Sequence, residues 1–480
     1  MAGGEINVSD RAIALCVDCD GSLIRTDLLH ESVFRLLKAA PWLVLLLPVW
    51  LLRGKAYLKE RLARRVSVDV TTLPLNDDVL DLARGARASG RRVILATASH
   101  RIPAQALATH LGLFDEVLAT EGSVNLSGTA KRAMLVSRFG ERGFDYVGNG
   151  HSDLAVWASA RRAVVVSASA TLARAAAAVT TVDRVIAPPR AGLRAYLRGL
   201  RLHQWLKNLL VFVPLFAAHH LHVRAELAQA LLAFLSFSLC ASAVYVLNDL
   251  LDLESDRSHV RKRLRPFASG VIPLWHGALL MPLLLGAALA IALLLPGAFA
   301  LVLAAYFGCT LAYSILLKRQ VIVDVLMLAS LYTIRVIAGG AATAIVPSFW
   351  LLAFSMFMFL SLAMVKRYSE LQLTLQQHQQ GAAGRGYVVQ DLPVLMSIGT
   401  GSGLVAVMVF ALYINNPETR GNYSEPLWLW PVPPLLLYWV SRIWMKAHRG
   451  EVDDDPVVFA VRDWQSLVIV VLSALFFSLA

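Results

Sequence analysis

Two patterns of apolar and polar positions divide the chain. From Leu209 onward, apolar runs alternate with short charged breaks at 209–221, 227–247, 272–295, 298–317, 321–343, 348–365, 393–414, 426–445 and 464–480. About 20 apolar residues suffice to span a bilayer as a helix, so about nine transmembrane helices are expected, the first and last being short. The first part of the chain reads differently. Ala12–Val17, Arg92–Ala96 and Phe144–Val147 are short apolar runs, as in buried strands of a parallel sheet. The pattern predicts a soluble α/β domain over 1–187, a linker over 188–208 and an all-α membrane domain over 209–480. One segment fits neither pattern: Ala39–Leu52 is apolar but too short to span, holds Pro41 and Pro48, and is flanked by Arg35, Lys38 and Arg53. It predicts a hairpin in the membrane interface or packed under a lid. After the Pro188–Pro189 breaker, Arg190, Arg194, Arg198 and Arg201 fall on one face of a helix, suited to anionic headgroups.

Composition sharpens this. Of 480 residues, 57% are hydrophobic and only 16% charged, which excludes disorder, collagen and an ordinary soluble enzyme. The net charge of +12 suits nucleic acid, anionic lipid or phosphorylated substrates alike; its placement decides. Fourteen basic residues, among them Arg257, Arg261, Lys318, Lys366, Arg385 and Arg442, fall in alternate loops, and only Arg224 and Arg420 in the others. That is the positive-inside bias. It predicts a cytoplasmic amino-terminal domain in an inner-membrane-like setting and leaves nucleic acid unneeded. Met1–Asp10 is polar and mildly acidic, so no secretory signal is expected. Cys16 and Cys19 form a CxxC without a second pair, which argues against zinc.

The candidate chemistry of the soluble part sits at strand ends. The first strand ends in Asp18-Cys19-Asp20-Gly21, the second in Thr97-Ala98-Ser99, and the third in Gly148-Asn149-Gly150-His151-Ser152-Asp153, with Lys131 on a helix between them. Two acids at i and i+2 of a strand end can both face a site above a parallel sheet. This order resembles the haloacid-dehalogenase (HAD) phosphatase superfamily, with a lid over about 24–90. The resemblance implies that Asp18 is the nucleophile and Asp20 the general acid and base, that Thr97 and Lys131 hold the phosphate, and that Asp18, the Asp20 carbonyl, Asn149 and Asp153 hold Mg²⁺. Asn149 stands where the family usually has an acid; an amide oxygen ligates Mg²⁺ without adding charge. The alternative is a retained fold without activity, serving as a membrane-surface or regulatory module.

In the membrane part, Asn248-Asp249-Leu250-Leu251-Asp252-Leu253-Glu254-Ser255-Asp256 closes the second apolar run, and Arg261-Lys262-Arg263-Leu264-Arg265-Pro266 follows. Asn248, Asp252 and Asp256 lie at i, i+4 and i+8, and Asp249 joins them at i+3 and i+7. Such a cluster at a bilayer edge needs counter-charge. A hard cation with a diphosphate supplies it; a solvated face neutralised by nearby basic residues is the plainer alternative. The string resembles the first aspartate-rich motif of the UbiA-type intramembrane prenyltransferases, over roughly 195–480. Gln204-Trp205-Leu206-Lys207-Asn208, Arg335-Val336-Ile337-Ala338-Gly339-Gly340 and Lys366-Arg367-Tyr368-Ser369-Glu370 resemble the decaprenyl-phosphate phosphoribosyltransferase branch. Where relatives acting on aromatics carry a second aspartate-rich motif, this chain offers Lys366, Arg367 and Glu370.

The resemblance implies transfer of phosphoribose from phosphoribosyl diphosphate (PRPP) to a polyprenyl phosphate. It implies Mg²⁺ on Asn248, Asp249, Asp252 and Asp256. Diphosphate or 5-phosphate contacts fall to Lys262, Arg263, Arg265, Lys318 and Arg335, and lipid-phosphate contacts to Lys207, Lys366 and Arg367. Asp324 is expected to serve the site or to pair with Lys318 or Arg319. Prenyl transfer to an aromatic acceptor, and a transporter with a regulatory domain, remain alternatives.

Overall fold

The structure, a computed structural model, describes residues 13–122, 124–189, 191–376, 386–417, 423–452 and 456–480. Met1–Asp10, Arg190, Arg385 and Arg420 lie outside the described residues. The chain forms two compact units, one of residues up to Leu200 with Tyr245–Met281, the other of Arg201–Val244 with Pro282–Ala480.

The first unit is built on six parallel strands: β1 Ala14–Val17, β2 Val93–His100, β3 Glu116–Thr120, β4 Phe144–Gly148, β5 Arg162–Val166 and β6 Thr181–Ile186, in the order β3-β2-β1-β4-β5-β6. β1 is apolar throughout because both its faces are covered: Leu15 and Val17 join one core with Val79, Leu80 and Ala83, while Cys16 joins another with Phe144, Tyr146 and Trp157. The chain runs outward from β1 through β2 to β3, then returns to place β4 on the other side of β1. Strand order therefore reverses between β1 and β4, and open α/β sheets leave a crevice there, beyond the strand ends.

Between β1 and β2 the chain inserts helices Leu28–Ala39 (the lid helix), Leu47–Leu52 and Lys55–Ala63, with a 3₁₀ turn over Pro41–Leu46. The lid is shorter than expected, since Asp77–Ala88 buries Val79, Leu80 and Ala83 in the core of the sheet. The apolar hairpin is helical and two-faced. Trp50 packs with Leu36, Leu58 and Leu62, while Trp42, Leu45 and Leu52 are 68%, 80% and 89% exposed. Within the basic linker, Arg194 and Arg198 lie on the short helix Leu193–Gly199. Tyr245–Met281 contributes the end of helix Arg224–Leu251, helix Leu253–Ser258 and the start of Leu274–Ala292. At Gly270 (φ +72°) a Cβ would lie 2.5 Å from the Arg25 carbonyl oxygen, so that loop sits directly on the segment leading into the lid helix.

The second unit is helical. Among the described residues, six helices are long and apolar enough to cross a membrane: Arg224–Leu251, Leu274–Ala292, Gly297–Ile315, Val323–Thr343, Phe349–Gln376 and Val389–Asn415. The other three expected segments are shorter helices. The first splits into a 3₁₀ stretch, Leu202–Phe212, and Val213–Ala217, the break falling next to Pro214; the last two are Val432–His448 and Trp464–Leu479. Its core gathers Val325, Met364, Tyr368, Leu395 and Trp444.

Candidate active sites

The β1 end places Asp18 in the crevice, 6% exposed. Lys131, from helix Thr129–Phe139, reaches it with Nζ 2.8 Å from Asp18 Oδ1 and donates to the Tyr146 hydroxyl at 2.8 Å. Tyr146 donates in turn to Asp153 Oδ1 at 3.1 Å, and Asp153 Oδ2 accepts the backbone N–H groups of Asn149 and Gly150, each at 3.0 Å. Asp153 thus caps the loop after β4 and acts on Asp18 through Tyr146 and Lys131. The Asn149 amide lies against Gly21 (φ +71°), where a Cβ would come within 2.0 Å of Asn149 Nδ2.

Asp20 turns to the other side. Its Oδ1 accepts the Leu28 N–H at 2.8 Å, and its Oδ2 accepts Ser99 Oγ at 2.6 Å and Thr97 Oγ1 at 3.3 Å. Burial pushes the Asp18 carboxyl up to about 7 against the pull of Lys131, and burial followed by the charge of Asp27 pushes Asp20 up to about 6. Burial alone would lower Lys131, but the Asp18 and Asp153 carboxylates outweigh it and raise it. Excess negative charge beside one lysine, with a hard amide oxygen at hand, is chemistry that a divalent cation relieves. The donor set therefore suits a divalent cation, which Asp18 would hold, with Asn149 and Asp153 on the neighbouring loop.

Three participants carried no sequence signal. Tyr146 is one of several apolar strand residues until its register with Cys16 places it beside β1. Lys59, from the lid, donates to the Ala98 carbonyl at 2.7 Å and to Asn125 Oδ1 at 2.8 Å. His100 is buried at the β2 end, its Nδ1 accepting the Ile102 N–H. Cys19 is buried, and burial raises its thiol well above the ordinary range, so it stays inert.

The aspartate-rich segment also belongs to the first unit. Asp249 and Asp256 are buried and share one cation: Arg265 Nη1 lies 3.2 Å from Asp249 Oδ1 and 2.6 Å from Asp256 Oδ2. Asp252 stands at the break between two helices and pairs with Lys38 Nζ at 2.9 Å. Glu254 pairs with Arg35 at 2.5 Å. Arg257 forms a two-pronged pair with Glu31, at 2.6 and 3.1 Å, with both side chains 4% exposed. Among the described residues no three His, Cys, Asp or Glu side chains converge on a ready metal position. Two buried carboxylates already gripping one positive charge are nevertheless hard-oxygen donors of the kind Mg²⁺ takes. Asn248 is half-buried one turn before Asp252, and Lys262 and Arg263 are exposed in the following 3₁₀ turn.

In the second unit, Arg335 donates through Nε to Asn208 Oδ1 at 2.9 Å, through Nη2 to the Tyr306 hydroxyl at 3.1 Å, and through Nη1 to the Leu331 carbonyl. Its guanidinium lies over the rings of Phe237, Tyr306 and Tyr332, and Lys207 Nζ lies 5.7 Å from the Tyr332 centroid. Among the described residues no carboxylate pairs with Arg335. Elsewhere in this unit Arg367, 1% exposed, donates to Asp324, to Glu370 and to the Tyr313 hydroxyl, while Tyr387 donates to Asp324 at 2.6 Å. Asp324 is thus held by Arg367 and Tyr387: it starts a helix packed beside Phe349–Gln376, whose inner face carries Arg367. Lys318 and Lys366 are half-buried near this cluster in sequence. Removing one partner of such a buried pair strands the other, at about 3–5 kcal/mol. Asp324→Ala should therefore lower the unfolding midpoint of the detergent-solubilised protein sharply. Asp324→Leu combined with Arg367→Met should recover much of the loss, as a thermal melt will read.

Over residues 209–467 the chain matches the UbiA prenyltransferase family, and over 16–158 the haloacid dehalogenase-like hydrolases. The chain belongs to the UbiA prenyltransferase family. With its six apolar helices it is an integral membrane protein. It is 36% identical to the uncharacterized protein y4nM of Sinorhizobium fredii, over 99% of this chain and 92% of that one. It is 41% identical to the decaprenyl-phosphate phosphoribosyltransferase of Mycobacterium tuberculosis, over 42% of this chain and 68% of that protein. A UbiA homologue from Archaeoglobus fulgidus, solved bound to DMAPP and Mg²⁺, aligns over 60% of this chain and all of its own at 17% identity and a TM-score of 0.47.

Proposed function

We propose that this UbiA-family protein transfers 5-phosphoribose from PRPP to a polyprenyl phosphate in a Mg²⁺-dependent reaction, and that its HAD-like domain removes the 5-phosphate of the lipid product. The observation that weighs most is the similarity to the mycobacterial phosphoribosyltransferase, at 41% identity. A second observation agrees with it. Where a second metal-binding acid cluster would be needed for aromatic prenyl transfer, the chain has Lys366 and Arg367, and Arg367 already holds Asp324 and Glu370.

A phosphate oxygen of the lipid attacks C1 of PRPP, the C1–O bond breaks, and diphosphate leaves with the bonding electrons. Asn248, Asp249, Asp252 and Asp256 would hold Mg²⁺, which would supply positive charge against that growing on diphosphate. Lys262, Arg263 and Arg265 meet the diphosphate, with Lys318 beside them in role. Arg335 pairs with no carboxylate among the described residues, and with Lys207 it offers an anion site for a substrate phosphate. Lys366 serves the same end.

In the HAD-like domain Asp18 attacks the 5-phosphate and the ribose O–P bond breaks; Asp20, whose carboxyl burial raises, gives the leaving oxygen its proton and then takes one from the water that hydrolyses the aspartyl phosphate. Thr97 and Ser99 orient Asp20, and Lys131 offsets the phosphate charge. By the positive-inside bias of the basic loops, this domain and both sites are assigned to the cytoplasmic side, and counting the three shorter helices gives about nine spans. The exposed Trp42, Leu45 and Leu52 rest in the headgroup region, where anionic lipids suit the flanking Arg53 and the linker arginines.

Membranes containing the protein, supplied with labelled PRPP or with labelled polyprenyl diphosphate, test the main proposal. Label from PRPP should pass to lipid. Label moving only from polyprenyl diphosphate to an aromatic acceptor would establish prenyl transfer instead, and label in neither product would leave transport.

A further inference from the structure

The lid helix of the hydrolase-like domain lies on the aspartate-rich motif. Three of its side chains, at 31, 35 and 38, contact 257, 254 and 252 in turn, so one helix face reads the motif backwards. The contacts differ in kind. Glu31–Arg257 is buried, two-pronged and braced, because Thr26 Oγ1 also donates to Glu31 at 2.6 Å and Arg257 Nε to the Ala268 carbonyl at 2.9 Å. Lys38–Asp252 is a single contact between side chains 33% and 28% exposed. The first is an anchor; the second is exchangeable. At its other end the lid helix presents the Leu28 N–H to Asp20 at 2.8 Å. Its 12 residues span about 18 Å at the helical rise, so a rigid rod runs from the hydrolase acid to the transferase motif.

We infer that Lys38 is a positioning residue of the transferase: its ammonium neutralises Asp252 until a divalent cation arriving with diphosphate takes that carboxylate and displaces it. This rests on the metal–diphosphate role proposed for the motif. Three aspartates without counter-charge would repel one another at a membrane edge. Arg265 is shared by Asp249 and Asp256, and Lys38 offsets Asp252, which holds the motif together and still net negative while the metal is away. Loading the metal releases the last of the three pairs, at the carboxyl end of the lid helix, while Glu31–Arg257 and Arg35–Glu254 keep the helix hinged. The hydrolase lid therefore loosens when the transferase takes up its substrate.

The test uses full-length protein carrying Asp18→Asn, which takes the nucleophile's negative charge out of the hydrolase site and weakens ion binding there, and follows Mn²⁺ binding by electron paramagnetic resonance. Adding Lys38→Met should tighten Mn²⁺ binding about fivefold, the scale of one partly exposed ion pair. Adding Asp252→Asn instead should weaken it tenfold or more. Mn²⁺ should also speed amide exchange over 33–40 in the Asp18→Asn parent and leave it unchanged with Lys38→Met. An unchanged or weaker affinity with Lys38→Met, while Asp252→Asn still weakens binding, overturns the role of Lys38 alone. Unchanged binding in Asp252→Asn overturns the metal role of the motif as well.

Discussion

Asparagine at position 256 should reduce phosphoribosyl transfer by about a hundredfold or more while leaving the protein folded. Losing a partner behind a metal ligand typically costs 10–100-fold (~100 at most), and Asp256 is proposed as a ligand itself. The side chain is buried and bonded to Arg265 at 2.6 Å. Asparagine keeps its size and an acceptor oxygen, and Arg265 retains Asp249 at 3.2 Å, so the guanidinium is not stranded. What disappears is one negative charge from the group that has to bind a divalent cation. The measurement is transfer of labelled phosphoribose against Mg²⁺ concentration, with a melting curve as the folding control. A purely structural role for Asp256 as the partner of Arg265 predicts something else: a lower melting point, shared by Arg265→Gln, with the Mg²⁺ dependence unmoved. Normal turnover at unchanged Mg²⁺ dependence would remove Asp256 from the metal site.

Why the sequence showed some of this and hid the rest follows from the range of each contact. Asp18, Asp20 and Asp153 were legible because strand ends announce themselves locally: an apolar run stops and polar residues with glycine follow. The structure places all three at the ends of β1 and β4, on either side of the point where strand order reverses. Asp249 and Asp256 were legible through helical spacing, and they do share one cation. The lid contacts were not legible. Lys38 and Asp252 are 214 residues apart, and nothing near Lys38 distinguishes it from other lysines flanking an apolar stretch. Nor does an isolated acid reveal its partner, since Asp324 has Lys318 and Arg319 close by in sequence yet packs against Arg367 on a neighbouring helix. The span count was blurred for a different reason. Hydropathy reports where a chain is apolar, and Pro214 and the short final runs limit how much of that length is continuous helix.

Asn at position 18 should divide the two activities. By the proposed scheme the transferase makes a lipid-linked ribose that still carries its 5-phosphate, and the HAD-like domain then removes it. Asp18 stands 2.8 Å from Lys131, where a carboxylate can attack a phosphoryl group whose charge the lysine offsets. Asparagine occupies the same volume and can still accept from Lys131, but it is no nucleophile. Dephosphorylation should therefore fall by several orders of magnitude, ~10⁴ or more, as when a catalytic nucleophile is removed from other enzymes. Transfer should survive, because Asp18 is absent from the set of residues holding PRPP. Purified protein incubated with PRPP, polyprenyl phosphate and Mg²⁺ should accumulate the dephosphorylated lipid, and Asp18→Asn the phosphorylated one, separable by the mass of one phosphate. Because both activities share a chain, the lipid meets the second site at an effective concentration of ~mM, so little of the phosphorylated intermediate should appear with the unaltered protein. If unaltered and Asp18→Asn proteins both stop at the phosphorylated lipid, the domain is no phosphatase for this product. Its buried Glu31–Arg257 pair would then mark it as a scaffold for the aspartate-rich motif.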